Sequence, residues 1–481
     1  MANTHVIKRI FCLVLFWFAR VSTSRGSYPE LKVQELLVNL VYDNITNNIF
    51  IGGENVLLKT SSSLVELRKN ITGPKLDYID CIIDTECPGK VANNRNKVLL
   101  IDNKKRRLIT CGSLQHGICN MRSLDTLETL TNSDKFVVSN AAFPAVALIT
   151  PWGNTPGTFA MYVATSWDAK YQLSDLTLIG IRPAVSTRII DGPEIFAFAE
   201  ESVKQSFLQF QKLKYEAKYI YGFSSGGFTY FVSVQETTKS FENKENPKVL
   251  RTFVIRLCQK DTAYLSYIEL PLECQGANGT NFNMANSSYL TKAGDGFGPH
   301  ASDDVLVITF FESAKGWDGP TKYSAICMYP VKEINEAMMS NLRNCTNNVN
   351  AGEKFGLPWV LNGDKKCAEQ TSKPTISDDF CPTRSFAFHP FRGKMPLSKR
   401  AVVQYDKGRL SAIAAMPYQN HTVMFVGTEH GQLLKISVED GQQQVEPYSN
   451  LHIGPDEVLQ IIVTSDQRHL YILSKHKVLS G

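Results

Sequence analysis

The sequence predicts an all-β chain that closes on itself as a β-propeller, and three observations support this. Short β-branched or aromatic runs ending at Gly, Asn or Asp recur at even spacing along most of its length. Helical periods are almost absent between them, and no Pro, Gly or Ser tract and no charge block divides the 481 residues into separate domains. A hairpin motif also occurs twice, residues 50–59 (FIGGENVLLK) aligning with residues 425–435 (FVGTEHGQLLK) with one insertion. Each copy reads as a strand, a Gly/Glu turn and a second strand, the middle of a four-stranded blade, and repetition is the mark that a propeller leaves in a sequence.

Taken in order, residues 1–24 read as a secretory signal: Lys8 and Arg9, an apolar run over 10–19, then the small residues Ser22, Thr23 and Ser24. Ten apolar residues are too few to cross a hydrocarbon core of about 30 Å, and no other run is long enough, so no membrane span is expected within the chain. Removing the signal takes three of the 51 Lys and Arg residues, leaving 48 against 46 Asp and Glu. That near-neutral balance argues against nucleic acid or an anionic membrane surface as a partner. A hydrophobic content of 43% excludes a disordered chain. Cys12 leaves with the signal, and ten cysteines remain: Cys81, Cys87, Cys111, Cys119, Cys258, Cys274, Cys327, Cys345, Cys367 and Cys381. An even number in an exported chain implies five disulfides. Six N-glycosylation sequons agree with export: Asn44, Asn70, Asn278, Asn286, Asn344 and Asn420.

Strands are expected at 36–42, 48–51, 136–139, 145–150, 159–165, 176–181, 218–222, 228–235, 249–258 and 264–270. The series continues at 304–311, 323–329, 402–405, 410–416, 423–427, 433–438, 458–464 and 470–473. The exception is 331–390. Apolar residues at 331, 334, 338, 339 and 342 predict a helix over 331–342, and the loop-rich remainder holds Cys345, Cys367 and Cys381. This reads as a small helical insertion in one blade, tied down by disulfides.

Motifs that could carry chemistry dissolve into this pattern. Gly222-Phe223-Ser224-Ser225-Gly226 fits G-x-S-x-G, but a nucleophile elbow needs a helix after the serine. Here Phe228, Tyr230 and Val232 alternate with Thr229, Phe231 and Ser233, which predicts a hairpin with a Ser-Ser-Gly-Gly turn. Gly294, Gly296 and Gly298 are followed by Pro299 and not by a helix, so they mark a loop and not a phosphate cradle. There is neither an H-E-x-x-H nor a C-x-x-C. No catalytic residue, metal site or cofactor is expected, and the chain is read as a non-enzyme. Lys104-Lys105-Arg106-Arg107, between runs at 98–101 and 108–110, reads as a solvated hairpin tip.

The segment Leu108 to Cys119, with Cys111-Gly112-Ser113 eight positions before its second cysteine, resembles a blade segment of the plexin sema domain. Residues 72–81 with Cys87, the run 219–231, Arg256-Leu257-Cys258, 266–274 and 324–327 are similar to the same family. So are Trp359-Val360-Leu361, Cys367, Phe380-Cys381, 422–436 and 470–474. The resemblance spans about residues 30–478 and includes all ten mature cysteines. It implies a seven-bladed β-propeller of the sema type, occupying 25–481, with the insertion at about 331–390 in blade 5. It implies the disulfides Cys81–Cys87, Cys111–Cys119, Cys258–Cys381, Cys274–Cys327 and Cys345–Cys367. In plexins this domain heads the extracellular part of a single-pass receptor and binds semaphorins in axon guidance and cell migration. The expected partner is therefore a semaphorin, met largely through blades 3 and 4, about residues 150–275, with Lys212, Lys214 and Lys218 as candidate contacts. Homodimerisation through the propeller is also consistent with the family. A plexin–semaphorin–integrin module follows in plexins where Gly481 stands, so the chain is expected to be a fragment of a longer receptor on the extracellular side of the plasma membrane, with a secreted form as the alternative. Two relatives share the fold as alternatives: the hepatocyte growth factor receptor tyrosine kinase, with a similar Glu-x-Pro-Leu-Glu-Cys element, and the semaphorins themselves. The last blade, 458–478, is expected to be completed by a strand within 31–40, because closure removes an exposed edge.

Overall fold

A computed structural model describes residues 28–77, 89–138, 144–166, 183–199, 208–209, 217–236, 250–313, 320–347, 349, 352, 355–357, 366–367, 375–382, 390–439 and 441–481. Alternating, β-branched runs in these residues pair antiparallel with their chain neighbours, the cheapest pairing in loop length. Among the described residues the product is seven blades of four strands each, six as four-stranded sheets and one, blade 4, widened to seven strands by additions at its outer edge. Blade 1 is Leu37–Asp43, Asn48–Gly53, Val56–Thr60 and Glu66–Ile71. Blade 2 is Asn96–Asp102, Arg107–Gly112, Ile118–Ser123 and Thr129–Phe136. Blade 3 is Ala145–Pro151, Phe159–Thr165, Pro183–Ile189 and Leu208–Gln209. Blade 4 is Ala217–Ser225, Phe228–Glu236, Leu250–Cys258 and Ile268–Gln275. Blade 5 is Met284–Lys292, Asp304–Ser313, Pro320–Pro330 and Val403–Tyr405. Blade 6 is Leu410–Tyr418, His421–Thr428, Gln432–Val438 and Ser449–His452. Blade 7 takes Val458–Val463, Leu470–Ser474 and Lys477–Ser480 from the end of the chain and its fourth strand, Glu30–Lys32, from the beginning.

The first strands of successive blades lie side by side, and the seventh meets the first, so the ring is closed. The closing strand pairs Leu31 with Val478 and is extended by Val33 N–H to His476 O at 3.0 Å and Leu37 N–H to Lys475 O at 2.7 Å. Both copies of the internal repeat are the middle hairpins of their blades, second strand to third, in blades 1 and 6. The core consists of slices between blades. Leu37, Leu40, Ile51 and Leu58 of blade 1 pack on Tyr471, Leu473 and Val478 of blade 7, and Ile109 and Met121 of blade 2 pack on Met161 and Val163 of blade 3.

A first strand is hydrogen-bonded within its sheet on one side only, which leaves an edge of unpaired backbone groups facing its neighbour. Side chains from the adjacent blade fill that edge. The Gln460 amide of blade 7 meets both backbone groups of Leu40, accepting from its N–H and donating to its C=O, each at 2.9 Å. Asn286 Nδ2 donates to Leu410 O at 3.0 Å, Ser411 Oγ to Val458 O at 2.7 Å, and Tyr219 N–H to Ser166 Oγ at 2.9 Å. Asn39 Nδ2 donates to Asn96 Oδ1 at 2.7 Å.

Three expected elements differ. Within the run 136–139, Phe136 ends the polar strand Thr129–Phe136, Val137 and Val138 both donate to Gly117 O in a turn, and residue 139 lies outside the described residues. The run 264–270 becomes a strand only at Ile268, Tyr264 having a positive φ of 56°. The helix runs four residues beyond expectation, Val331–Thr346, and leaves blade 5 between its third and fourth strands. The expected run 176–181 and the signal segment lie outside the described residues.

The tip at 103–106 is a hairpin turn, but its basic residues are not simply solvated. Arg106 forms a two-pronged pair with buried Asp43 of blade 1, at 2.9 and 2.5 Å, and Arg107 pairs with Asp102 at 2.6 Å and Asp191 at 2.9 Å. Burial works against ionising Asp43, but hydrogen bonds from Arg106, the Thr46 hydroxyl and the Ile45 amide, with the charge of Arg106, outweigh it and bring the carboxyl down to about 2. A carboxyl depressed below its unfolded value of about 3.9 stabilises the fold above that pH, and the contribution is lost as pH falls towards 2. Arg106→Ala should therefore lower the melting temperature at neutral pH and flatten its decline between about pH 4 and pH 2. Thermal unfolding across that range checks this, and an unchanged profile in the variant would contradict the clasp.

Candidate ligand-binding surface

In each blade the chain turns from first to second strand on one face, the turn face, and crosses to the next blade on the opposite, crossover face. Turns on the first face interlock. Lys104 Nζ of blade 2 donates to Gly157 O of blade 3 at 2.6 Å, Gly153 N–H of blade 3 to Gln259 O of blade 4 at 2.8 Å, and Ser225 Oγ of blade 4 to Asp304 of blade 5 at 2.5 Å. The glycine-rich loop at 294–298 belongs to this series. Gly296 N–H donates to Asn420 O of blade 6 at 3.1 Å, and a Cβ on Gly296 would lie 2.5 Å from that oxygen, so close approach requires glycine there.

Blade 4 is reinforced on its outer edge. After the helix Val331–Thr346, the chain returns as Phe391–Arg392 and Leu397–Arg400, both pairing in parallel with the fourth strand of blade 4. Arg392 carries a charge inside and is matched there by fully buried Glu269, its Nε donating to Oε2 at 2.7 Å. Tyr267 and Gln235 donate to the other oxygen of Glu269 at 2.6 and 3.0 Å, and Arg392 also donates to Gln235. The Tyr267 hydroxyl is held well above its ordinary pKa by burial and by the adjacent Glu269 charge, so it stays a donor. Arg256, 1% exposed, lies with its guanidinium 4.2 Å from the Phe228 ring centre and donates to Asn335 Oδ1 at 3.0 Å and Asp378 O at 2.8 Å. Disulfides Cys258–Cys381, Cys274–Cys327 and Cys345–Cys367 tie the same parts together, and Cys111–Cys119 clips blade 2. The first of these closes a separation of 123 residues, worth about 5 kcal/mol in the chain-entropy account. These four have the partners that the resemblance implies; Cys81 and Cys87 lie outside the described residues.

The insertion therefore sheathes the rim of blade 4, and a partner approaching blades 3 and 4 meets their faces and the turns between them. Of the candidate lysines, Lys212 and Lys214 lie outside the described residues. Lys218 is on the first strand of blade 4, in the inner ring and away from an outer surface. Burial pushes its ammonium pKa down, Arg409 adds to this, and Glu457 opposes it. Lys218, expected as a candidate contact, lies within this strand, half-buried and within reach of the charges of Arg409 and Glu457. Sequence reasoning missed the Arg392–Glu269 pair, because neither residue sits in a motif and their spacing of 123 positions carries no signal.

Ser224 lies in a strand opposite Thr229, and the turn is Gly226-Gly227, both with positive φ, so no nucleophile elbow forms. Among the described residues no group of three His, Cys, Asp or Glu side chains is placed to hold a metal, and no helix is long and apolar enough to cross a membrane. The sequons differ in placement: Asn44, Asn278 and Asn420 are exposed in turns, while Asn70 and Asn344 are half-buried. Asn286 departs from the rest, since the amide nitrogen that would carry a sugar is bonded to Leu410 O in the inner ring.

The sema domain family model matches residues 288–465. Human Plexin-A4 is 30% identical over 465 residues, covering 92% of this chain and 24% of that protein. The structure of the Plexin A4 extracellular region, domains 1 to 8, superposes with a TM-score of 0.84 at 27% identity, covering 95% of this chain and 51% of that one. Drosophila Plexin A in complex with Semaphorin 1b shares the fold, with a TM-score of 0.56 at 13% identity over 94% of this chain and 88% of that one. The fold and these likenesses define a sema-type seven-bladed propeller. This chain is similar to the plexin sema domain, and it spans about a quarter of the length of the curated plexins that it matches.

Glycopeptide mapping of the secreted protein should find Asn44, Asn278 and Asn420 occupied and Asn286 bare. A glycan on Asn286 in folded protein would contradict the inner-ring placement of its amide.

Proposed function

We propose that this domain is the ligand-binding head of a plexin-like receptor on the extracellular side of the cell, that it binds a semaphorin through blades 3 and 4, and that it performs no chemistry. The observation that carries this reading is the likeness to Plexin-A4 across nearly the whole chain, in sequence and in fold. The complex named for the Drosophila relative supports the choice of partner. The braced body of blade 4 suits a protein ligand, because a rigid surface loses little freedom on binding. Interlocked turns at blades 2 to 4 present Lys104 beside Phe159, the ammonium 5.5 Å from the ring centre, so apolar and charged surface adjoin there. Charge at the rim of such a surface sets orientation and association rate.

The test is binding of the purified domain to a panel of semaphorin ectodomains, measured by surface plasmon resonance at low and high salt. At least one should bind, more weakly at high salt. Pro156→Thr turns Asn154 into a sequon in the exposed blade 3 turn, and the added glycan should abolish binding without reducing secretion. Lys212→Glu with Lys214→Glu should weaken binding, and Ser224→Ala should not. A well-folded domain that binds no semaphorin in the panel rejects this reading.

A further inference from the structure

On the crossover face, blades 5 and 6 diverge and leave a groove of about 690 Å³. Its walls are chemically mixed. Phe282, Tyr323 and Tyr405 supply aromatic surface, and Gln404, Asp406 and Glu446 supply amide and carboxylate groups. Tyr323 is 45% exposed, an unusual setting for a large ring on a third strand. Tyr405 Oη donates to Gln432 Oε1 at 3.1 Å, which holds that ring in place. The rim of the groove contains Asn278, and Thr280 of the same sequon also lines it. Asn278 sits in a tight turn closed by Gly276 N–H to Thr280 O at 2.8 Å, with Gly279 at a φ of 76°, so the side chain is exposed on a fixed backbone.

We infer that the groove is a carbohydrate-binding cleft whose occupant is the glycan of this chain's own Asn278. A sugar ring has an apolar C–H face and a rim of hydroxyls that both donate and accept. Exposed tyrosine covers the first, and carboxylates and amides satisfy the second. A divalent cation is disfavoured, because no cluster of three ligating side chains exists among the described residues. The volume is within the range of about 300–1,000 Å³ that holds small ligands. Tethering raises the local concentration to the order of millimolar, so contacts too weak to capture a free sugar suffice. The seated glycan would cover the seam between blades 5 and 6 and withdraw this face from protein partners. This inference does not depend on the semaphorin reading.

The test uses the full secreted chain. Mass spectrometry first establishes a glycan on Asn278, and its absence overturns the inference. Hydrogen exchange is then compared between native protein, protein trimmed to one sugar per site, Asn278→Gln, and Asn420→Gln as a control. Exchange at 403–407 and 320–326 should accelerate several-fold on trimming and in Asn278→Gln, but not in Asn420→Gln. Tyr323→Ser, with the glycan still attached, should produce the same acceleration, and combining it with Asn278→Gln should add nothing further. Unchanged exchange in Asn278→Gln, or additive effects in the double variant, would show that the glycan does not lie in the groove.

Discussion

The structure depends on the pairing of its two ends. The fourth strand of blade 7 is Glu30–Lys32, so the ring closes only when residues more than 440 positions apart meet, Leu31 opposite Val478. Without it the third strand of blade 7 would have a bare edge, and the slice of core between blades 7 and 1 would open. That slice includes Leu37, Tyr471 and Val478, all fully buried. Closure also brings Gln460 against Leu40 and Tyr471 Oη against Ser62 O at 3.0 Å, neither of which an open arc could form. Each is modest alone, on the order of 1 kcal/mol, but all form together, which makes the ring cooperative.

Once the ring is closed, the inner strands have no sheet partner across the blade junctions. Amide and hydroxyl side chains substitute, with Gln460, Asn286 and Ser411 each meeting a backbone group of the next blade. A propeller of this kind uses polar side chains at its centre for structure, as the Asn286 amide does in bonding Leu410 O. Function is left to the turns and the outer surfaces. Around blade 4 these are stiffened by the buried Arg392–Glu269 pair, whose breaking would leave a carboxylate without its cation in the interior, at a cost of about 3–5 kcal/mol.

Much of the fold was legible in the sequence because inner strands are apolar. Runs such as 228–235 and 250–258 are buried almost throughout and stand out as β-branched and aromatic stretches. The fourth strands of blades 1 and 2 were not. Glu66–Ile71 and Thr129–Phe136 lie on the outside, exposed along most of their length, so nothing in their composition separates them from loops. The helix was visible from its apolar spacing, and its last turn was not, because Asn344 and Thr346 break the pattern while Cys345 anchors it. At the candidate surface, a charge cluster counted along the chain carries no burial signal, and residue 218 is half-buried on the first strand of blade 4. The Arg392–Glu269 pair that braces blade 4 joins residues 123 positions apart, and single-sequence spacing carries no trace of it.

Closure can be tested directly by hydrogen exchange on the intact domain, followed in peptides covering residues 28–34 and 476–481. If the N-terminal strand completes the seventh blade, both peptides should be protected together, to a degree comparable with the third strand of blade 6, and should lose protection in one step on unfolding. Rapid exchange in both peptides while the blade cores remain protected would show an open ring and contradict the account.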